Sequence, residues 1–568
     1  MEGVTMRAKI ISSLEKCFPE ESATQKEAIA YASILKNERY SFQVCYDCEE
    51  IVDAKQIIYF SVESPLAEAV RIYKVKYIPS MMPVYRQNHD AHYLRTEPGL
   101  YPDLLEPMLD GDRLPASNVL NALWVEVDPG EAFPAGVYPI RCVFTNESGV
   151  KVWEQSVYIE ILDSVLPPQK LIFTQWFYTD CLLQYYGTDA FDERHWQIIE
   201  NFMENAARYG MNMILTPILT PALDTYAGGQ RPTTQLVDIR MENGQYTFDF
   251  SRLGRWVDLC DQVGIRYLEI NHFFTQWGAA ACPKVIATVD GVEKQIFGWD
   301  TPSDSEEYRV FLYALIPQML RYLREEKNGA DKRSYFHISD EPQIQDMERY
   351  CRLCSMIKPL LEGYPIIDAL SDYDFYANGA TTCPVPGVDH MDVFLEREVP
   401  NLWTYYCCVQ NVDVPNRFFA MPSSRNRIVG VLFYKFRIAG FLHWGYNFYN
   451  NQFSYAPINP FLCSDGDCFS PSGDTYSVYP GPGGQPWPSL RQAVFYDALQ
   501  DLRALTLCEQ LYGREFTMSL VEEGIEPLTF TNYPRNNAYL PQLREKINAA
   551  IKVKCEEQNQ KGQDCHVV

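Results

Sequence analysis

The sequence is short of the features that mark several large protein classes. No apolar run approaches the roughly 20 residues needed to span a bilayer. The opening stretch, MEGVTMRAKIISSLEKCFPEE, has no long apolar segment and no small-residue cleavage site, so no secretory leader is expected. Positive charge is scarce, with 49 Lys and Arg against 74 Asp and Glu, for a formal net charge of −25. Nucleic-acid binders need a basic face to displace counterions, so no nucleic-acid partner is expected. Anionic membranes and polyanions are disfavoured on the same ground. Histidine is sparse, with eight in 568 residues, and HExxH does not occur. GxSxG is missing too, which removes the serine-hydrolase elbow. The 17 cysteines show no regular framework; Cys45/Cys48 and Cys351/Cys354 have CxxC spacing with no second pair nearby. Free thiols in a reducing cytoplasm, with no metal and no cofactor, are the expectation.

What is present points to more than one domain, because 568 residues exceed one ordinary hydrophobic core. Aromatics reach 14%, which suits either ring-rich cores or surfaces on which the C–H face of a sugar packs. Between residues 40 and 165, runs such as QIIYFSVES, NALWVEVDP and KVWEQSVYIEIL alternate between Pro, Gly, Asn and Asp signals. This pattern predicts an antiparallel β-sandwich, placed at residues 1–166. The stretch SATQKEAIAYASILKNE predicts a helix packed outside it, and Leu166-Pro-Pro168 a linker.

From Lys170 strand-like runs alternate with amphipathic helices. The strands are expected at 171–177, 211–217, 265–273, 334–342, 365–371, 402–408, 417–421 and 440–447, with insertions after the second and third. Gly210, Gly264 and Gly363 stand where helices should end. The pattern predicts a multidomain α/β chain with a (β/α)8-type barrel over 167–515 and a helical extension over 516–568 packed on it. A doubly wound sheet would bring a Gly-rich loop after its first strand, but the residues after Phe177 read YTDCLLQYYG.

Barrel active sites form at the C-terminal strand ends. There the string Phe336-His-Ile-Ser-Asp-Glu-Pro342 runs from apolar residues into two adjacent carboxylates. Two acids at the mouth of a core strand are costly unless used or paired, and close carboxyls push their pKa values apart. Helix capping is the structural alternative. Strand 1 ends at Trp176, with Asp180 beyond it. Strand 3 carries Glu269 and His272, followed by Gln276-Trp277-Gly278. Strand 5 presents Asp368, strand 6 Tyr405 and Tyr406, and strand 8 His443, Trp444 and Asn447. Of these, Trp176, His272, Trp277, Asp368, Tyr405, Tyr406, Trp444 and Asn447 are the candidate sugar-binding residues, with Asp340 and Glu341 as the catalytic pair. Most retaining glycosidases use two carboxyls about 5 Å apart across the sugar, but substrate-assisted families do not. No glutamate occurs between Val399 and Cys508, where a second catalytic glutamate is commonest; Asp413 or Asp474 could serve there instead.

The motif at 336–342 resembles the catalytic signature of glycoside hydrolase family 123, the β-N-acetylgalactosaminidase family. So do Asn271-His-Phe-Phe-Thr-Gln-Trp-Gly278, Phe297-Gly-Trp-Asp300 and Gly473-Asp474 leading to Tyr479-Pro-Gly481. The resemblance implies a retaining, substrate-assisted reaction through an oxazolinium ion. Asp340 would steady the 2-acetamido group, and Glu341 would act first as acid and then as base. Two alternatives stay open: a barrel glycosidase for a sugar without the acetamido group, and a glycan-binding homologue without turnover.

Overall fold

The computed structural model describes residues 6–49, 57–525 and 527–560. The chain is a multidomain α/β protein made of two compact units. The first unit takes Met1–Gln169, Pro415–Lys435 and Trp487–Val568; the second takes Lys170–Val414 and Phe436–Pro486. Among the described residues no helix is long and apolar enough to cross a membrane.

The first unit is built on two five-stranded sheets. In spatial order one runs Met6–Ser12, Tyr40–Cys48, Asn121–Val127, Val70–Ser80, Gly99–Pro107. The other runs Tyr31–Lys36, Lys151–Val165, Gly136–Asn146, Ile57–Glu63, Leu114–Pro115. Alternating apolar residues from both sheets meet in one core that includes Phe42, Val44, Val125, Ile140, Phe144 and Ile159. Each such side chain contributes about 1.5–3 kcal/mol on burial. Residues 31–36 are a strand rather than the expected helix. Tyr158 to Leu162 pair in parallel with Tyr31 to Leu35, and this pairing outweighs the helical propensity of AIAYASILK.

The same unit takes in the C-terminal helices, Leu490–Tyr512, Arg514–Val521 and Tyr539–Gln560. The residues beyond Gln560, expected to fray, lie outside the described ones. Buried charges tie these helices to the sandwich. Arg544 reaches Glu38 at 2.6 Å and Asp501 at 3.2 Å, and Arg427 reaches Asp501 at 2.7 Å. Segment 415–435 packs close to the Leu490–Tyr512 helix, so a Cβ on Gly430 would stand 2.0 Å from the Ala498 carbonyl oxygen. Residues 417–421, expected as a barrel strand, are therefore not one; they belong to this unit and contribute buried Phe418, Phe419 and Met421.

The second unit contains eight short parallel strands: β1 Ile172–Gln175, β2 Met213–Thr216, β3 Tyr267–Ile270, β4 Ser334–Phe336, β5 Ile367–Ala369, β6 Cys383–Val385, β7 Trp403–Tyr405 and β8 Gly440–His443. They form three ladders, β7-β8-β1, β2-β3-β4 and β5-β6. Single parallel bridges, Phe336 to Ile366 and Gly387 to Tyr405, link the ladders. Between β1 and β2 the Asn212 N–H donates to the Phe173 carbonyl. Helices Glu193–Arg208, Ser251–Val263, Glu306–Glu325 and Met347–Ile357 fall between strands, as the periodicity predicts; Gly264 ends one of them in left-handed conformation. The two insertions combine into one sheet, ordered Gln245–Asp249, Asp238–Glu242, Val285–Val289, Val292–Phe297.

Replacing Arg544 by Met strands Glu38 in an interior that cannot hydrate it and leaves Asp501 with Arg427 alone. Stability should fall by about 3–5 kcal/mol, read as a lower midpoint in urea. Lys552→Met, at a half-exposed pair with Glu160, should cost under about 1 kcal/mol.

Candidate active site

The acidic pair stands where the chain leaves β4. Beyond Phe336 the backbone stays pinned on both sides. The Phe274 N–H donates to the Ile338 carbonyl (3.0 Å), the Trp277 N–H to the Asp340 carbonyl (3.0 Å), and the Glu341 N–H to the Ala369 carbonyl (3.1 Å). Glu341 then adopts φ 42°, a left-handed conformation that a non-glycine residue keeps only when its surroundings impose it. Pro342 follows.

A cleft of about 570 Å³, its open mouth included, is lined by Asp340, Glu341, Trp176, Trp277, Tyr405 and Trp444, together with Tyr178, Asp224, Gln276, Cys407, Cys408 and Phe469. It lies at the C-terminal ends of the parallel strands, within the size range of small-ligand sites. A larger cleft in the first unit is lined by Glu38, Arg427, Arg544 and Asp497, charges that already neutralise one another.

Asp340 is buried and makes no hydrogen bond to a described side chain. Glu341 accepts a 2.8 Å hydrogen bond from the Tyr405 hydroxyl. Burial raises the pKa of both carboxyls. For Asp340 the nearby Glu341 charge adds to the rise, and the His337 charge opposes it. The two carboxyls oppose each other's ionisation, because like charges on adjacent side chains in a cleft wall repel.

Under the pair lies a buried ion cluster. His337 bonds Asp368 through Nδ1 (3.0 Å) and Glu269 through Nε2 (2.7 Å). Burial pulls the imidazole pKa down, but the hydrogen bonds to Asp368 and Glu269 outweigh it and lift the value to about 9. His337 is therefore a cation at neutral pH. Glu269 also accepts the Trp176 indole N–H (2.8 Å) and the Thr174 hydroxyl. Asp368 also accepts the Ile338 N–H (3.1 Å), the Ser339 N–H (3.4 Å) and the Tyr350 hydroxyl. The cluster thus fixes a cleft-wall ring on one side and the strand end carrying the acids on the other.

His272, Asp368, Tyr406 and Asn447 do not line the cleft. His272 stacks on His337 with ring centroids 4.1 Å apart, and burial and the His337 charge lower its pKa far below 6.5, so it is neutral. Tyr406 packs between Phe441 and His443. Asn447 clamps the backbone of Tyr178, accepting from its N–H at 2.8 Å and donating to its carbonyl at 3.0 Å. Asp180 is paired with Arg231 at 2.6 Å. Asp474 is buried and accepts the Trp444 indole N–H at 3.0 Å. Asp413 is exposed and away from the cleft.

Asp224 is the cleft acid that the sequence reading passed over. Burial lifts its pKa to about 6. Its one sequence signal is its place in the loop after β2. Gln276 Nε2 is buried without a hydrogen-bond partner among the described residues, an unmet donor beside the cleft.

Ligand atoms of His272, His337 and Asp368 lie within 4.8 Å of one another. A cation there would have to displace the His337 proton and break its bond to a carboxylate, so the ion cluster competes with metal binding. Both CxxC pairs are free thiols.

Adjacent buried carboxyls in a ring-lined cleft at parallel strand ends are suited to acid–base chemistry on a small ligand. Residues 176–508 match the family model described as glycoside hydrolase 123, catalytic domain. That is more than half of the sequence, and the chain belongs to this family; it is a glycoside hydrolase. Among solved structures it is similar to a family 123 glycoside hydrolase from Clostridium perfringens, studied for glycolipid glycan hydrolysis. The TM-score is 0.72 at 15% identity, covering 98% of this chain and 100% of that one. A family 5 mannosidase from Rhizomucor miehei aligns at a TM-score of 0.33 and 12% identity, over 63% of this chain and 95% of that one. No curated protein sequence matches the chain.

If the His337 cation holds down the Asp340 pKa, removing it raises that pKa. In His337→Gln the acid limb of the kcat/KM profile should therefore move about one unit to higher pH. The stabilisation that His337 supplies is full below its unfolded pKa of 6.5 and is lost as pH rises through about 9. Wild-type thermal stability should fall across that window, and the variant should not show the same fall.

Proposed function

We propose that the protein is an exo-acting β-N-acetylgalactosaminidase that retains configuration through substrate assistance, on a (β/α)8-type barrel formed by the eight parallel strands. The observation that supports this reading is the inequality of two neighbouring carboxyls opening on one cleft: among the described residues the Asp340 carboxyl has no hydrogen-bond partner, and the Glu341 carboxyl is held by Tyr405. Other acids near the strand ends are occupied by protein donors, as Glu269, Asp368 and Asp474 are. Asp224 is the remaining acid of the cleft wall, and it accepts the Phe453 N–H at 3.1 Å.

In this mechanism a terminal GalNAc enters with its 2-acetamido N–H facing Asp340. A hydrogen bond to the ionised form favours that form, so binding moves a proton shared by the pair onto Glu341, beside the glycosidic oxygen. The acetamido carbonyl oxygen bonds to C1 as the bond from C1 to the aglycone breaks, and the leaving oxygen takes the Glu341 proton. The resulting Glu341 carboxylate then accepts a proton from water as the water oxygen bonds to C1 and the oxazolinium ring opens. Both displacements invert C1, so the product keeps the β configuration. Trp176, Trp277 and Trp444 supply ring walls, and the free Gln276 amide N–H suits a sugar oxygen.

A panel of 4-nitrophenyl β-glycosides with and without the 2-acetamido group tests this directly. The acetamido sugar should be cleaved and its 2-hydroxy counterpart should not. Glu341→Gln should lose about 10²–10⁴ in kcat/KM on a poor leaving group and far less on a dinitrophenyl glycoside. Full activity in Asp340→Asn would overturn the mechanism.

A further inference from the structure

Four aromatic rings run from the cleft wall onto the protein surface. Trp277 lines the cleft and is 44% exposed. Phe453 meets it edge-on at 5.3 Å, Tyr455 meets Phe453 edge-on at 6.2 Å, and Tyr226 stacks on Tyr455 at 4.4 Å with planes 18° apart. Tyr455 is 63% exposed and Tyr226 37%. Rings this open are not core packing, and clustered exposed apolar surface of this kind marks a binding site.

The backbone holds the strip in place. Asp224, Trp277, Phe453 and Ser454 all have φ between 41° and 58°, a left-handed conformation that non-glycine residues keep only when their surroundings fix it. The fixing bonds join the loop after β2 to the loop after β8. The Phe453 N–H donates to the Asp224 carboxylate (3.1 Å), the Ser454 hydroxyl to the Asp224 carbonyl (2.7 Å), and the Tyr226 N–H to the Phe453 carbonyl (3.1 Å). Asp224 itself lines the cleft, so the strip and the cleft share a rigid anchor and no ordering is needed when a ligand arrives.

We infer that Trp277, Phe453, Tyr455 and Tyr226 form an aglycone-side subsite that stacks the further sugar rings of an oligosaccharide whose terminal residue occupies the cleft. Pyranose rings offer apolar C–H faces to such a strip, and its continuity with the cleft wall selects a saccharide joined to the residue being cleaved. The inference rests on the glycosidase reading and adds a length preference to it: chains of several sugars bind better than aryl glycosides.

The test uses the full chain and its Tyr455→Ala and Tyr226→Ala variants. The substrates are 4-nitrophenyl β-N-acetylgalactosaminide and a lipid-free tetrasaccharide ending in β-GalNAc. The ratio of kcat/KM for the tetrasaccharide to that for the aryl glycoside should fall about tenfold in either variant. The fall should come through KM, and Tyr455→Trp should restore it. An unchanged ratio overturns the subsite. Calorimetry of the tetrasaccharide on Glu341→Gln, with and without Tyr455→Ala, reads the strip independently of turnover; the affinity should fall about tenfold, and equal affinities or no binding overturn it. An inert wild type on the aryl glycoside, with tetrasaccharide binding that still depends on Tyr455, would instead count against the substrate reading alone. Sedimentation showing self-association abolished by Tyr455→Ala would identify the strip as a contact between copies and overturn the proposal.

Discussion

The site depends on one buried cation. His337 is clamped between Asp368 and Glu269, and these two carboxylates also hold the backbone of Ile338 and Ser339 and the indole of Trp176. An isolated charge at this depth would be prohibitive. Held this way it is worth retaining, because it orders Ile338 and Ser339, the two residues before Asp340, and offsets part of the negative potential that Asp340, Glu341 and Asp224 build up in the cleft. The left-handed turn at Glu341 is held separately, by the hydrogen bonds from Trp277 N–H to the Asp340 carbonyl and from Glu341 N–H to the Ala369 carbonyl.

The chemical core was legible in the sequence because it is local. Apolar residues ending in Asp340-Glu341-Pro342 require a strand whose exit carries two acids, and the acids do follow the strand Ser334–Phe336. The helices between strands were legible for a similar reason: their amphipathic periods are long. The three-residue strand Cys383–Val385 was not legible, since it is too short for any period and contains a proline. Residues 417–421 were read as a strand on composition, although their apolar side chains serve the other unit. YASILK was read as helix because nothing local announces a parallel partner some 120 residues away.

The same division separates the cleft residues. Trp176, Trp277, Tyr405 and Trp444 stand in the wall. His272, Asp368, Tyr406 and Asn447 sit behind it, where a strand-end position alone does not say which face a side chain takes. Asp224 and the surface rings Tyr226 and Tyr455 come from loops whose course is set by hydrogen bonds between distant segments, information that no short window contains.

The central claim is that Asp340 answers to a 2-acetamido group in a reaction the sugar itself assists. Inhibition by the GalNAc-derived thiazoline, a stable mimic of the oxazolinium ion, tests it most directly. The account predicts competitive inhibition of the wild type and binding at least about a hundredfold weaker in Asp340→Asn. An enzyme that cleaves β-GalNAc yet ignores the thiazoline would contradict it.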